Sequence, residues 1–157
     1  MKILVAIDFS EFVDKIIIEA EKLAKTLTAK VFLLHVLPPI SPIIDVPPDA
    51  ETLKPPELPF EIDNFPALSD AEAAKLLTIT EKLQSSGIDT TIIMAHNDEI
   101  DAIIDESNKN NVDMIMLGSH GHGALYHLMI GSVSEGVIRR STCPVIIVPF
   151  KSEVKTS

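Results

Sequence analysis

Five short apolar runs punctuate the chain: KILVAI (2–7), KVFLLHV (30–36), IDTTIIMA (88–95), VDMIML (112–117) and PVIIV (144–148). Near-continuous apolar runs of this length fit strands buried on both faces. Between them the apolar spacing changes to three and four. Val13, Ile16, Ile17, Ala20, Leu23, Ala24 and Leu27 mark one helix face, for which Ser10 is the expected cap. Ser69 and Glu72 spell a capping box that opens a second helix through Leu76, Leu77, Ile79 and Leu83, closed by Gly87. Asn97 is the expected cap of a third helix with Ile100, Ile103 and Ile104 inside, and a fourth spans about 132–140. Strands alternating with helices predict an α/β fold: a single-domain, five-stranded parallel sheet with helices on both faces.

One stretch breaks the alternation. Nine of the eleven prolines lie between Leu37 and Pro66. Each fixes φ and removes a donor, so neither a helix nor a central strand persists there. The expected organisation is one domain over 1–150 carrying a Pro-rich insertion at about 37–67, then a tail at 151–157. Aromatics are 4% of the chain, so the core must be aliphatic. A net charge of −10 argues against a general nucleic-acid or anionic-membrane surface, which needs clustered Lys and Arg. No apolar run of 18 residues exists, and the first ten residues lack a signal-peptide pattern, so a cytoplasmic protein is expected. Cys143 is the only cysteine; it reads as a small residue at the entry of a buried strand.

Glycine is spent unevenly. Five of the six glycines fall in GSHGHGALYHLMIGSVSEG, residues 118–136. Gly118 ends a strand, Gly121 and Gly123 follow in a loop, and Gly131-Ser132 opens a helix. A helix N-terminus presents unpaired N–H groups and a positive dipole end, and glycine lets an anion approach them. That suits a phosphate chain. The plainer alternative is that the glycines are turns and that Ser132 and Glu135 form a capping box. The Walker lysine is absent, and no G-x-G-x-x-G follows the first strand.

The spacing Gly118-x-x-Gly121, nine residues, then Gly131-Ser132 resembles the ATP-binding signature of the universal stress protein family. ILVAIDFSE, LLHV and STCPVIIV resemble its first, second and closing strands, so the likeness covers the chain outside the insertion. The resemblance implies a Rossmann-like fold of the adenine nucleotide alpha hydrolase-like kind. It implies ATP, with Mg²⁺, as ligand. Asp8, with the backbone of Ala6 and Ile7, would meet ribose and adenine. Val36 would bond the adenine edge through its backbone, and Leu117 and Gly118 would line the nucleotide. Gly121, Gly131, Ser132 and Val133 would hold phosphates. AHNDE departs from the family's usual Gly-x-Pro at the third helix, which leaves His96 without an assigned role.

His120, His122 and His127 crowd the glycine loop. A metal site there has no carboxylate to complete it, so no metal ligand is assigned among the side chains. Instead His120 or His122 flanks the phosphates as a donor, or both are solvated loop residues; His120 is the one assigned to the nucleotide site. No catalytic residue is assigned. The expected function is a nucleotide-dependent stress-response or regulatory protein. The alternatives are a slow ATPase and a nucleotide-free interaction protein. The closing strand, at about 144–149, would expose backbone and apolar side chains if it lies at the sheet edge. Pairing with a second copy would cover both, giving a homodimer, as the resemblance also implies.

Overall fold

The structure, a computed structural model, describes residues 1–37, 68–119 and 130–149. Five strands, β1 (Lys2–Ile7), β2 (Lys30–Leu37), β3 (Thr90–His96), β4 (Met114–Gly118) and β5 (Val145–Val148), alternate with four helices. The helices are α1 (Val13–Leu27), α2 (Asp70–Ser85), α3 (Glu99–Lys109) and α4 (Ser132–Arg140). Every strand pair is parallel and the order is β3-β2-β1-β4-β5. This is the α/β architecture that the apolar runs predict. The Pro-rich insertion from Pro38 and the tail lie outside the described residues.

The winding direction reverses at β1. From β1 the chain steps outward to β2 and β3, then crosses to β4 and continues to β5. Crossovers of one hand therefore put α1 and α2 on one face and α3 and α4 on the other. The core divides accordingly. On the first face Val13, Ile16, Ile17 and Ala20 of α1 and Leu76, Ile79 and Leu83 of α2 pack against Ile3, Val5, Val31 and Leu33. On the second face Ile103 and Ile104 of α3 and Val137 of α4 pack against Leu4, Leu34, Ile115 and Leu117. Odd and even residues of β1 and β2 thus serve opposite faces, as strand alternation requires. The sheet buries both, which is why the strands read as unbroken apolar runs.

The caps divide into two kinds. Ser69 and Glu72 form the capping box that the sequence predicts, and Gly87 takes φ +81 after α2. The other two expected caps move. Asp98, not Asn97, caps α3, accepting from the N–H groups of Ile100 and Asp101. Asn97 instead accepts from the N–H of Asp98 at 2.8 Å. Ser10 does not cap α1 with its side chain. Phe12 stands at that position without a side-chain bond, and the Ser10 carbonyl accepts from Val13 N–H at 3.1 Å. In both cases a tight turn precedes the helix and moves its start on, by one residue for α3 and two for α1.

Glu21 ties the two helices of the first face. Its carboxylate accepts from Lys25 Nζ at 2.7 Å and from Ser86 Oγ at 2.8 Å. The Lys25 bond, then the Ser86 bond, hold its carboxyl below the ordinary range. On the second face Gly136 marks where α4 approaches α3: a Cβ there would overlap the Ile100 side chain. This glycine is a packing residue. Gly136→Leu should cost about 1–3 kcal/mol through overpacking, read as a lower denaturation midpoint at unchanged slope.

Candidate functional site

Reversal of the winding at β1 parts the connections that leave β1 and β4. A ligand crevice forms beyond the carboxyl ends of strands at such a boundary. Here the flanking residues are Asp8, just after β1, and Gly118-Ser119, at the end of β4.

On the β4 side the backbone is pinned at several points. Ser119 N–H donates to Val148 O at 2.9 Å, and Gly131 N–H donates to Ser119 O at 2.7 Å. Ser134 Oγ donates to Gly118 O at 2.7 Å, from a side chain only 3% exposed. These bonds hold the start of α4 against the end of β4. Gly131 is the N-cap, at φ −63 and ψ 156, and makes no side-chain cap. Ser132 is therefore the first helical residue, and the Ser132–Glu135 capping box that the sequence allows does not form. Glu135 turns to Arg139 instead, at 2.7 Å. The first-turn N–H groups of α4 carry the positive end of the helix dipole with no serine hydroxyl covering them. Since φ at Gly131 is negative, its conformation does not demand glycine; what glycine supplies is the missing Cβ.

On the β1 side Asp8 Oδ1 accepts from Ser10 N–H at 3.1 Å. This Asx-type turn carries the chain from β1 towards α1. Phe9 sits inside it with φ +56, a left-handed conformation uncommon for a bulky residue. Beneath it lies His35 of β2, in register with Ile7. His35 Nδ1 donates to Ile7 O at 3.0 Å, and the His35 and Phe9 rings lie 4.5 Å apart between centroids. A carbonyl can only accept, so the ring carries a proton on Nδ1.

The sequence-assigned residues sort clearly. Ala6, Val36 and Val133 are half-buried against the cluster on the α3/α4 face, to which Leu117 belongs. That face therefore gathers residues from β1, β2, β4 and α4. Ile7 is different: its side chain is 5% exposed in the opposite cluster, so only its backbone is on offer, and the carbonyl is already engaged. Gly118, Gly131 and Ser132 sit where β4 meets α4. His120 and Gly121 lie outside the described residues, as do Gly123, His122 and His127. His96 ends β3 opposite Leu37 of β2. Among the described residues, no group of His, Cys, Asp and Glu has a metal-binding arrangement. Nor is any described helix long and apolar enough to cross a membrane.

The sequence reading passed over His35, Phe9 and Ser134. The signal for His35 was a lone imidazole inside an apolar strand. Ser134 was masked by the capping-box pattern, in which only Ser132 and Glu135 count.

Comparison with known proteins settles the family. The family model for the universal stress protein family matches residues 1–149. The chain belongs to the universal stress protein family. It is 32% identical to universal stress protein YxiE of Bacillus subtilis (strain 168), over 94% of this chain and 97% of that protein. It is 31% identical to universal stress protein MJ0577 of Methanocaldococcus jannaschii, over 96% of each. The solved structure of MJ0577 superposes with a TM-score of 0.67 at 25% identity, covering 97% of each chain. A universal stress protein from Archaeoglobus fulgidus superposes with a TM-score of 0.60 at 20% identity, over 94% of this chain and 96% of that one. At that identity the likeness speaks for the fold alone.

The two serines of α4 should separate on mutation. Ser134→Ala should cost about 1 kcal/mol, since it removes a buried bond to Gly118 O. Ser132→Ala should change stability by less than about 0.5 kcal/mol, because no cap is lost. Denaturant titration of both variants checks the pair.

Proposed function

We propose that this universal stress protein binds an adenine nucleotide, ATP with Mg²⁺, across the carboxyl edge of the sheet at the β1–β4 boundary. The observation that carries the reading is the uncapped start of α4, pinned by Gly131 and Ser134 beside the end of β4. Amides of Ser132 and Val133 would take phosphate oxygens there, with Gly131 allowing close approach. Asp8 would accept from ribose hydroxyls. Ala6, Val36 and Leu117 would supply the apolar wall for adenine, with the Val36 backbone at the base edge. Gly118, His120 and Gly121 complete the set on the resemblance of the glycine spacing. The fold is known to accommodate such ligands: universal stress proteins have been solved in complex with dAMP and with cAMP. The role is a cytoplasmic, nucleotide-dependent stress-response or regulatory protein, with binding rather than turnover as its activity.

Calorimetric titration with Mg-ATP tests this. Wild type should bind at micromolar concentration, and Gly131→Val should weaken binding at least about tenfold with little change in melting temperature. No heat of binding at millimolar Mg-ATP would overturn the reading.

We also propose a two-fold dimer through the β5 edge. β5 is the last strand of the sheet, and Val145, Ile146 and Ile147 are only half-buried. A groove lined by Lys22 and Leu23 of α1, Met116 of β4, and Ile146 and Val148 runs beside it. An edge of this kind pairs readily with its own copy. Sedimentation should give a dimer at micromolar concentration and a folded monomer for Ile147→Lys. A monomeric wild type would refute the assembly without touching the nucleotide site.

A further inference from the structure

We propose that His35 is a positioning residue for the nucleotide site, acting through Asp8 from the opposite face of the sheet. The proposal rests on the nucleotide reading above and deepens it.

The nucleotide reading does not use His35. Its side chain is 8% exposed, and it follows Val31 and Leu33 at strand spacing, so it faces α1. Ala6 and Val36, its neighbours across and along the sheet, face α3 and α4. A nucleotide against Ala6 and Val36 would be separated from the imidazole by the sheet itself. Whatever His35 does for binding is therefore indirect.

What it touches is the residue on each side of Asp8. Nδ1–H holds the Ile7 carbonyl at 3.0 Å, and the ring lies against the Phe9 ring at 4.5 Å between centroids. Phe9 is the one of these residues in a disfavoured conformation, with φ +56. Such a conformation persists only where the surroundings determine it. The residue before Asp8 is thus tied by its carbonyl, and the residue after it is braced by its side chain. A further tie, from Ser10 N–H to Asp8 Oδ1 at 3.1 Å, forms within the same turn. Without the imidazole, the Ile7 carbonyl loses its side-chain donor and the Phe9 turn loses its brace. The turn can then relax to a right-handed or extended conformation, which re-aims the Asp8 carboxylate.

The test is a double-mutant cycle on Mg-ATP affinity, with melting temperature recorded for each variant. His35→Leu should weaken binding about tenfold when Asp8 is present, the scale of one well-placed hydrogen bond. In the Asp8→Ala background the same change should weaken it less than about twofold. His35→Asn, whose amide N–H reaches the place of Nδ1, should stay within about threefold of wild type; His35→Gln, which reaches the place of Nε2, should not. The Asn and Gln pair carries the test if the Leu variant does not fold. Equal losses in both Asp8 backgrounds, or equal losses for Asn and Gln, would show a merely structural role and overturn the proposal. A wild type that binds no Mg-ATP would bring down the nucleotide reading itself, and this proposal with it.

Discussion

Everything at the candidate site depends on β1 being paired on both sides. Lys2–Ile7 aligns with Lys30–His35 of β2, and Ile3–Val5 aligns with Met114–Met116 of β4. A strand so placed must be apolar on both faces, and Ile3, Leu4 and Val5 are fully buried. Because the winding changes direction there, the loops from β1 and β4 leave towards opposite layers of helices. The opening between them is a by-product of topology. Asp8 follows β1 directly, and hydrogen bonds from Gly131 and Ser134 hold the start of α4 at the end of β4.

The described glycines of residues 118–136, Gly118, Gly131 and Gly136, turn out to serve different ends. Gly131 is an N-cap without a side-chain bond, and its own N–H is tied to Ser119 O. Gly136 is a contact residue, where α4 meets Ile100 of α3. Gly118 gives its carbonyl to Ser134. Sequence spacing shows the cluster but not this division of labour, since a glycine in a helix interior and one at its cap look alike in a string.

The strands were legible because a sheet buried on both faces writes continuous apolar runs. Their ends were less so: β3 begins at Thr90 rather than Ile88, since the turn after Gly87 takes up the first residues. The caps of α1 and α3 were misplaced for a related reason. Asn97 and Ser10 are good capping residues in isolation, but each sits in a turn whose hydrogen bonds are set by Asp98 or Asp8. Ser132 failed as a cap because Gly131 was already bonded to Ser119, which fixes the helix start one residue earlier. The contribution of His35 depends on the register of β1 against β2, which no local pattern encodes.

The candidate site has two supports, one at each side of the β1–β4 boundary. On the β4 side, hydrogen bonds hold the start of α4 against the end of β4. On the β1 side, Asp8 is flanked by a tied carbonyl and a braced ring. Amide chemical shifts followed during a Mg-ATP titration test the central claim most directly. The account predicts saturable changes that start at Asp8, Val36, Gly118, Ser132 and Val133, on both sides of the boundary at once. Changes confined to α1 and β5, or none at millimolar nucleotide, would contradict it.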